Sequence, residues 1–306
     1  MRNEELMNSA FIFLVRMERS EIHHSTLVRL WRIRHSLGGY PMNFNPYMQV
    51  ALSAAEKSAR ILKIRFGNIS QVRKKAAEEI VTEADIESEK EIISHIRSNF
   101  PGHGILSEEC GLKTGASDFK WIIDPLDGTV NFAHQVPIFS ISIALAFKDD
   151  IVLGVVLNPL SGELFSAIKG QGAQLNGQSI QVSLISTLTD SLLVTGFAYN
   201  LKETFEPVIA RYGNCLMAAQ GMRSLGSAAL DLCYVACGRF DGYWEQNLKP
   251  WDTAAGSLIA AEAGGTVTTF SNQPYTVDHL EILATNGKIH QEMVGLLKIN
   301  AMTNDD

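Results

Sequence analysis

Apolar positions along this chain change their period several times, and each change marks an element. From Pro46, the stretch YMQVALSAAEKSARILKIRF (47–66) places apolar residues three and four apart, which predicts an amphipathic helix. The polar QVRKKAAEE (71–79) predicts a loop or hairpin. VTEADIESEKEIISHIRSNFPG (81–102) reads as a short lead-in and then a helix ending near Phe100, before Pro101 and Gly102. Apolar runs at 104–107 and 119–123 predict strands, the second ending at Asp124. IFSISIALAFKDDIVLGVVLNPLSGELFSAI (138–168) alternates, is rich in β-branched residues and is punctuated at Asp149-Asp150 and Ser161-Gly162, which predicts three strands of an antiparallel meander. NGQ at 176–178 adds a turn.

Beyond residues 185–190 the pattern alternates between the two periods. SLLVTG (191–196), FDGYWE (240–245) and EILATN (281–286) read as strands, whereas 202–213, 226–237, 252–263 and 287–297 read as helices. The expected fold is therefore α+β in the first half and α/β in the second. Residues 42–187 would form one subdomain and 188–306 the other, with 1–41 as an extension.

Those first 41 residues differ in composition from the rest. They hold six Arg and no Lys, against seven Arg and thirteen Lys afterwards, and they contain no Asp. Their apolar run LMNSAFIFLV follows Glu4 and Glu5, which is wrong for a signal peptide. The expectation is a start at Met42 or Met48; the alternative is a loosely ordered arm.

At 306 residues and 46% hydrophobic content, the chain can bury a sizeable core. Its formal net charge of -7 argues against a nucleic-acid polyanion as the main partner, which would call for a basic face. A phosphate ester remains open if metal ions supply positive charge. The four cysteines (Cys110, Cys215, Cys233, Cys237) form no C-x-x-C pair, and Cys233 and Cys237 read as core residues sharing a helix face. The pattern fits a reducing cytoplasm. No apolar run reaches the ~18 residues of a membrane span.

The chemistry centres on IIDPLDGTVNF (122–132), an apolar strand ending in two acids three positions apart. A turn at Pro125 could bring the Asp127 carboxylate towards Asp124, with the Leu126 carbonyl between them. Three hard oxygens on one point suit Mg²⁺, and the N–H groups of Gly128 and Thr129 could hold an anion. The plain alternative is a common Pro-x-Asp-Gly turn. Four other places bear on the choice. Glu108 and Glu109 follow a short apolar run, so one of them could face a site. Thr82 and Asp85 have helix-capping spacing. Gly226-Ser227-Ala228 opens a helix, either as an anion site or as a Ser cap. Glu245 ends a strand, and Asp252 stands at a helix start, as a cap or as a further metal carboxylate.

Taken together, VTEAD, SEEC, WIIDPLDGTVNFAHQVP and PWDTAAGSLIAAEAGG resemble the motifs of the inositol monophosphatase family of metal-dependent, lithium-sensitive phosphatases. The resemblance covers residues from about 47 to 298. It implies a layered αβαβα sandwich, like that of fructose-1,6-bisphosphatase, and a cytoplasmic homodimer acting on a small phosphate ester away from membranes. It implies two or three Mg²⁺ ions. Glu108, Asp124 and the Leu126 carbonyl would hold one; Asp124, Asp127 and Asp252 a second; Glu108 would also support a third, weaker one. A metal-activated water would be the nucleophile, oriented by Thr129 paired with Asp85. Gly128 and Thr129 would hold the phosphate, and Gly226, Ser227, Ala228 and Glu245 would line the alcohol portion.

The sequence departs from the family pattern at Ser227, where many members have Thr. The family's mobile-loop lysine could be Lys74 or Lys75. Within the family, GTVNFAHQVPIFSISIAL looks most like the inositol-phosphate branch, so inositol 1-phosphate is the expected substrate. The alternatives are fructose 1,6-bisphosphate, histidinol phosphate, 3′-phosphoadenosine 5′-phosphate and NADP. Of other classes, the family also implies a possible RNA-polymerase- or ribosome-associated factor, and a non-catalytic magnesium or calcium module stays open.

Overall fold

The computed structural model describes residues 42–68, 80–197, 201, 202 and 204–298, with 72–74 described as backbone only. The expectations for residues 1–41 and for Lys75 lie outside the described residues, as does the side chain of Lys74.

Helix α1 (Asn45–Arg65) begins with Pro at its first turn and buries an Ala-rich stripe, Ala51, Ala54, Ala55, Ala59 and Leu62. Small residues on that stripe let it lie close against α2 (Glu83–Asn99). Both helices cover one face of an eight-stranded sheet. Its strands are β3 (Gly104–Ser107), β4 (Gly111–Lys113), β5 (Phe119–Asp127), β6 (Ser140–Phe147), β7 (Asp150–Asn158), β8 (Glu163–Ile168), β9 (Ala173–Leu175) and β10 (Gln178–Ile180). Their order is β10-β9-β8-β7-β6-β5-β3-β4, antiparallel except for the β3–β5 pair. The meander expected over 138–168 is β6, β7 and β8, and the NGQ turn closes the β9–β10 hairpin with Asn176 and Gly177 both at positive φ. Two short strands, β1 (Val72–Lys74) and β2 (Ile80–Thr82), pair antiparallel ahead of α2.

A second sheet follows residue 190. It orders β12 (Gly221–Arg223), β11 (Leu192–Thr195), β13 (Gly242–Gln246), β15 (Glu281–Thr285) and β14 (Thr266–Thr268). The short β4, β12 and β14 carried too little periodicity to be read from sequence. Helices α5 (Ala228–Ala236) and α6 (Pro250–Glu262) fill the space between the two sheets, and α4 (Phe205–Ala218) and α7 (His290–Leu297) cover the outer face of the second. The short α3 (Thr129–Ala133) leads out of β5. The order of layers is αβαβα, a mixed sandwich as expected. Among the described residues, no helix is long and apolar enough to cross a membrane.

Two glycines show how tightly the central layer is packed. A Cβ at Gly154 of β7 would lie 2.8 Å from the Ala255 carbonyl oxygen of α6. Gly213 of α4 has open space around it. Gly154→Ala is therefore expected to cost about 1–3 kcal/mol through overpacking, while Gly213→Ala should stabilise by up to about 1 kcal/mol through helix propensity. Urea denaturation of the two variants checks both signs.

Candidate active site

The sequence places Asp124 at a strand end followed by a turn. Instead, β5 continues through Pro125 to Asp127, and the turn expectation is corrected. Asp124 pairs with Ser142 and Asp127 with Ser140, so three steps on β5 face two on β6: a bulge. Pro125 is tolerated there because a bulge releases one ladder N–H. Its carbonyl is not left idle, since the Ser88 hydroxyl of α2 donates to it at 2.7 Å. The bulge re-aims both acids without a chain reversal.

Asp124, Asp127 and Asp252 are buried, and Glu108 adds its charge to theirs. Burial first, then the charges of Glu108, Asp127 and Asp252, hold the Asp124 pKa well above the ordinary carboxylate range. Asp252 is raised in the same way, by burial first and by the charges of Asp127, Glu108 and Glu245. Acids from β5, the turn after β3 and the start of α6 thus converge. Among the described residues no three such side chains already stand in metal-ligand geometry. Like charges in a dry pocket repel, and each carboxylate turns to a nearby donor: Asp124 to the Leu126 N–H at 3.0 Å, Asp252 to the Lys249 N–H at 2.7 Å. The donor set is all hard oxygen with surplus negative charge, which fits Mg²⁺.

Asp127 has the fullest set of partners. Its Oδ2 accepts from Ser227 Oγ at 2.5 Å, Ser140 Oγ at 3.1 Å and Ala229 N at 3.0 Å, and its Oδ1 accepts from Ala228 N at 3.2 Å. The anion cradle expected at Gly226-Ser227-Ala228 is therefore filled by a carboxylate of the chain itself. Ser227 stands at the N-cap but makes no capping bond. Burial raises the Asp127 pKa against these stabilising donors. Asp252, expected at a cap, is the third residue of α6.

Thr82 and Asp85 do cap α2, in a full capping box. The same Asp85 also receives Thr129 Oγ1 on its other oxygen at 3.1 Å. Thr129 Oγ1 lies 3.0 Å from the Leu126 carbonyl too, so its single proton serves one acceptor at a time. Burial, helped by the charge of Glu109 and resisted by the Thr82 bonds, pushes Asp85 up to about 6. Gly128 precedes Thr129 at φ 94°, and a Cβ there would lie 3.0 Å from the Gly226 carbonyl oxygen, so the β5–α3 corner requires glycine.

Glu245, expected to end its strand, is the penultimate residue of β13; it is 6% exposed, and burial pushes it up to about 8. Several contributors were missed from sequence. Glu89, buried in α2, accepts from Ser107 Oγ and from the N–H groups of Glu109 and Cys110, fixing the turn that carries Glu108. Asn131 donates to the carbonyls of Ile138 and Leu225, tying α3 to the segment before Gly226. Tyr243 donates to Glu245 Oε2 at 2.7 Å. Asp231, fully buried in α5, has no hydrogen-bond partner on either oxygen among the described residues. Its signal was available: one acid inside the apolar run AALDLCYVA.

The combination of an αβαβα sandwich and converging acids at its strand and helix ends defines a class: layered α/β proteins with a buried acidic cluster between the sheets' ends. Comparison with known proteins narrows that class. The family model described as the inositol monophosphatase family matches residues 44–300. An inositol-1-monophosphatase of Synechocystis sp. is 44% identical over 83% of this chain and 89% of its own length. The Nus factor SuhB of Escherichia coli is 38% identical over 83% of this chain and 96% of its own. The solved inositol monophosphatase of Anabaena has a TM-score of 0.77 at 40% identity, covering 84% of this chain and 96% of that one. The extragenic suppressor protein suhB of Bartonella henselae has a TM-score of 0.81 at 37% identity, covering 84% and 100%. The chain belongs to the inositol monophosphatase family, a family of phosphatases.

Asp231 yields a test of the site's electrostatics. Burial first, then the charges of Glu245 and Asp127, hold its pKa well above the ordinary range. The folded chain thus binds this proton more tightly than the unfolded one. The resulting stability is full below the unfolded value and is lost as pH rises towards the folded one, by up to about 1.4 kcal/mol per pH unit. Asp231→Asn removes that slope. Guanidinium denaturation between about pH 4.5 and 7.5 should show the variant losing less stability with pH than the wild type; equal slopes would refute the assignment.

Proposed function

We propose that this protein is a Mg²⁺-dependent phosphomonoesterase whose preferred substrate is inositol 1-phosphate. The observation that carries the reading is the convergence of Glu108, Asp124, Asp127 and Asp252 beside the Thr129–Asp85 pair. In this reading residues 42–187 supply most of the metal site and residues 188–306 the alcohol pocket. Glu108, Asp124, the Leu126 carbonyl, Asp127 and Asp252 would hold the ions. Bound there, Mg²⁺ would offset the ester's dianion and ease deprotonation of water.

The protein's own groups would do the rest. Thr129 Oγ1, within hydrogen-bond reach of Asp85, would accept a proton from an attacking water as its own proton moves to Asp85. The Gly128-Thr129 backbone would hold phosphate oxygens. Glu245, an acceptor, would meet substrate hydroxyls beside Gly226, Ser227 and Ala228. Phosphoryl transfer needs positioning and electrostatics more than covalent chemistry, so this set is sufficient.

A second reading, an interaction factor for the transcription machinery, is favoured by the similarity to proteins named Nus factor SuhB. The two readings separate on one variant. Asp127→Asn should abolish phosphate release; if the cellular phenotype of a deletion is still complemented, the interaction role stands.

Phosphate release from inositol 1-phosphate, histidinol phosphate, fructose 1,6-bisphosphate, 3′-phosphoadenosine 5′-phosphate and NADP tests the substrate. Inositol 1-phosphate should give the highest kcat/KM, with dependence on Mg²⁺ and inhibition by Li⁺. Thr129→Val should lower kcat by about 10²–10⁴-fold. A different ester winning by a wide margin would sink the substrate assignment, and an unchanged kcat in Thr129→Val would sink the proton path.

A further inference from the structure

Gly196 follows β11, one residue beyond the Thr195–Trp244 pair, and therefore lies beside Glu245 of β13. A Cβ built on Gly196 would fall 2.1 Å from Glu245 Oε2, 2.5 Å from Cδ and 2.6 Å from Oε1. All three nearest atoms belong to that one carboxyl. Gly196 is not among the glycines with positive φ, so its backbone does not require glycine. Among the described residues, the nearest group to that space is the Glu245 carboxyl.

The opposite side of that carboxyl is also fixed. Tyr243, fully buried and two residues earlier on the same strand face, donates to Oε2. Oε1 accepts no hydrogen bond among the described residues and is free to take one. The missing side chain at 196 and the hydroxyl at 243 therefore define one position for one acceptor oxygen.

We propose that Gly196 is a specificity-determining position, which with Tyr243 as a positioning residue aims the Glu245 carboxylate at the hydroxyl groups of a polyol phosphate. This rests on the reading of Glu245 as the residue that meets the substrate's alcohol portion. A carboxylate held this way selects esters with a hydroxyl donor near the phosphate over esters with none. Neither residue takes part in the transfer itself. Displacing the carboxylate should therefore change recognition of the alcohol and spare the chemistry.

The test compares wild type, Gly196→Ala and Tyr243→Phe, all Mg²⁺-loaded, on inositol 1-phosphate and on p-nitrophenyl phosphate, which has no hydroxyl donor. Assayed above pH 8, where the Glu245 carboxyl, pushed up to about 8, is ionised, both variants should raise KM for inositol 1-phosphate by about ten- to a hundred-fold, the loss of a well-placed hydrogen bond to a charged acceptor. kcat on either ester, and KM for p-nitrophenyl phosphate, should stay within about twofold, as expected when only ground-state and transition-state binding of the alcohol is lost together. Adding Glu245→Asp to Gly196→Ala shortens the acid, relieves the conflict and should restore part of the discrimination.

Denaturation supplies a readout that needs no turnover. Gly196→Ala should destabilise the wild-type background but not a Glu245→Gly background, where nothing occupies the space. Equal loss on both esters, or unchanged discrimination in Gly196→Ala while the wild type turns over inositol 1-phosphate, would overturn the proposal and leave the proposed function intact. A wild type that hydrolyses no ester would overturn both. Additive effects in the denaturation cycle would overturn the steric basis alone, and with it the role of Gly196.

Discussion

Repulsion among buried carboxylates is the constraint around which this molecule is built. Asp124 lies where the charges of Glu108, Asp127 and Asp252 all raise its proton affinity, and burial raises it further. Such a cluster opposes folding unless each acid has donors nearby. The donors here are mostly backbone N–H groups at places where the ladder or helix leaves them free: Leu126 in the bulge, Ala228 and Ala229 at the start of α5, Lys249 ahead of α6. The acids are therefore held by main chain, which cannot rotate away as a side chain can.

The layers explain how acids so distant in sequence meet. Helices α5 and α6 are shared between the two sheets, and their first turns face the bulged end of β5. Asp127 on β5 binds the start of α5, and Asp252 enters from the start of α6. Small residues make this approach close: Gly154 against Ala255, and Gly256 against Leu232. On the other face, Ser58, Ser88 and the Pro125 carbonyl form a chain from α1 through α2 to the bulge. Packing on both sides of the large sheet thus bears on the same four residues, 124 to 127.

Several features performed two tasks that sequence reasoning had set against each other. Asp85 caps its helix and also receives Thr129; Asp252 accepts the N–H ahead of its helix and also belongs to the acid cluster. A carboxylate has two oxygens and several lone pairs, so a structural bond on one leaves the other available. Local pattern could not reveal the second partner, because it comes from 44 residues away in the case of Thr129 and Asp85.

The sequence by itself determined the elements and the chemical inventory. Period in the apolar residues located the first two helices, the meander and the later alternation of strands and helices, and the acids clustered where those elements end. Residue type and local spacing are enough for such features because helix and strand periodicity are properties of the nearby chain. Tertiary structure decided the rest. It turned the expected Pro125 turn into a bulge, filled the α5 N-terminus with Asp127, buried Asp231 without a partner among the described residues and set the Glu245 carboxyl where a side chain at residue 196 would lie. Each of these depends on which atoms from remote segments occupy the same few cubic ångströms, and that is fixed only when the layers close on one another.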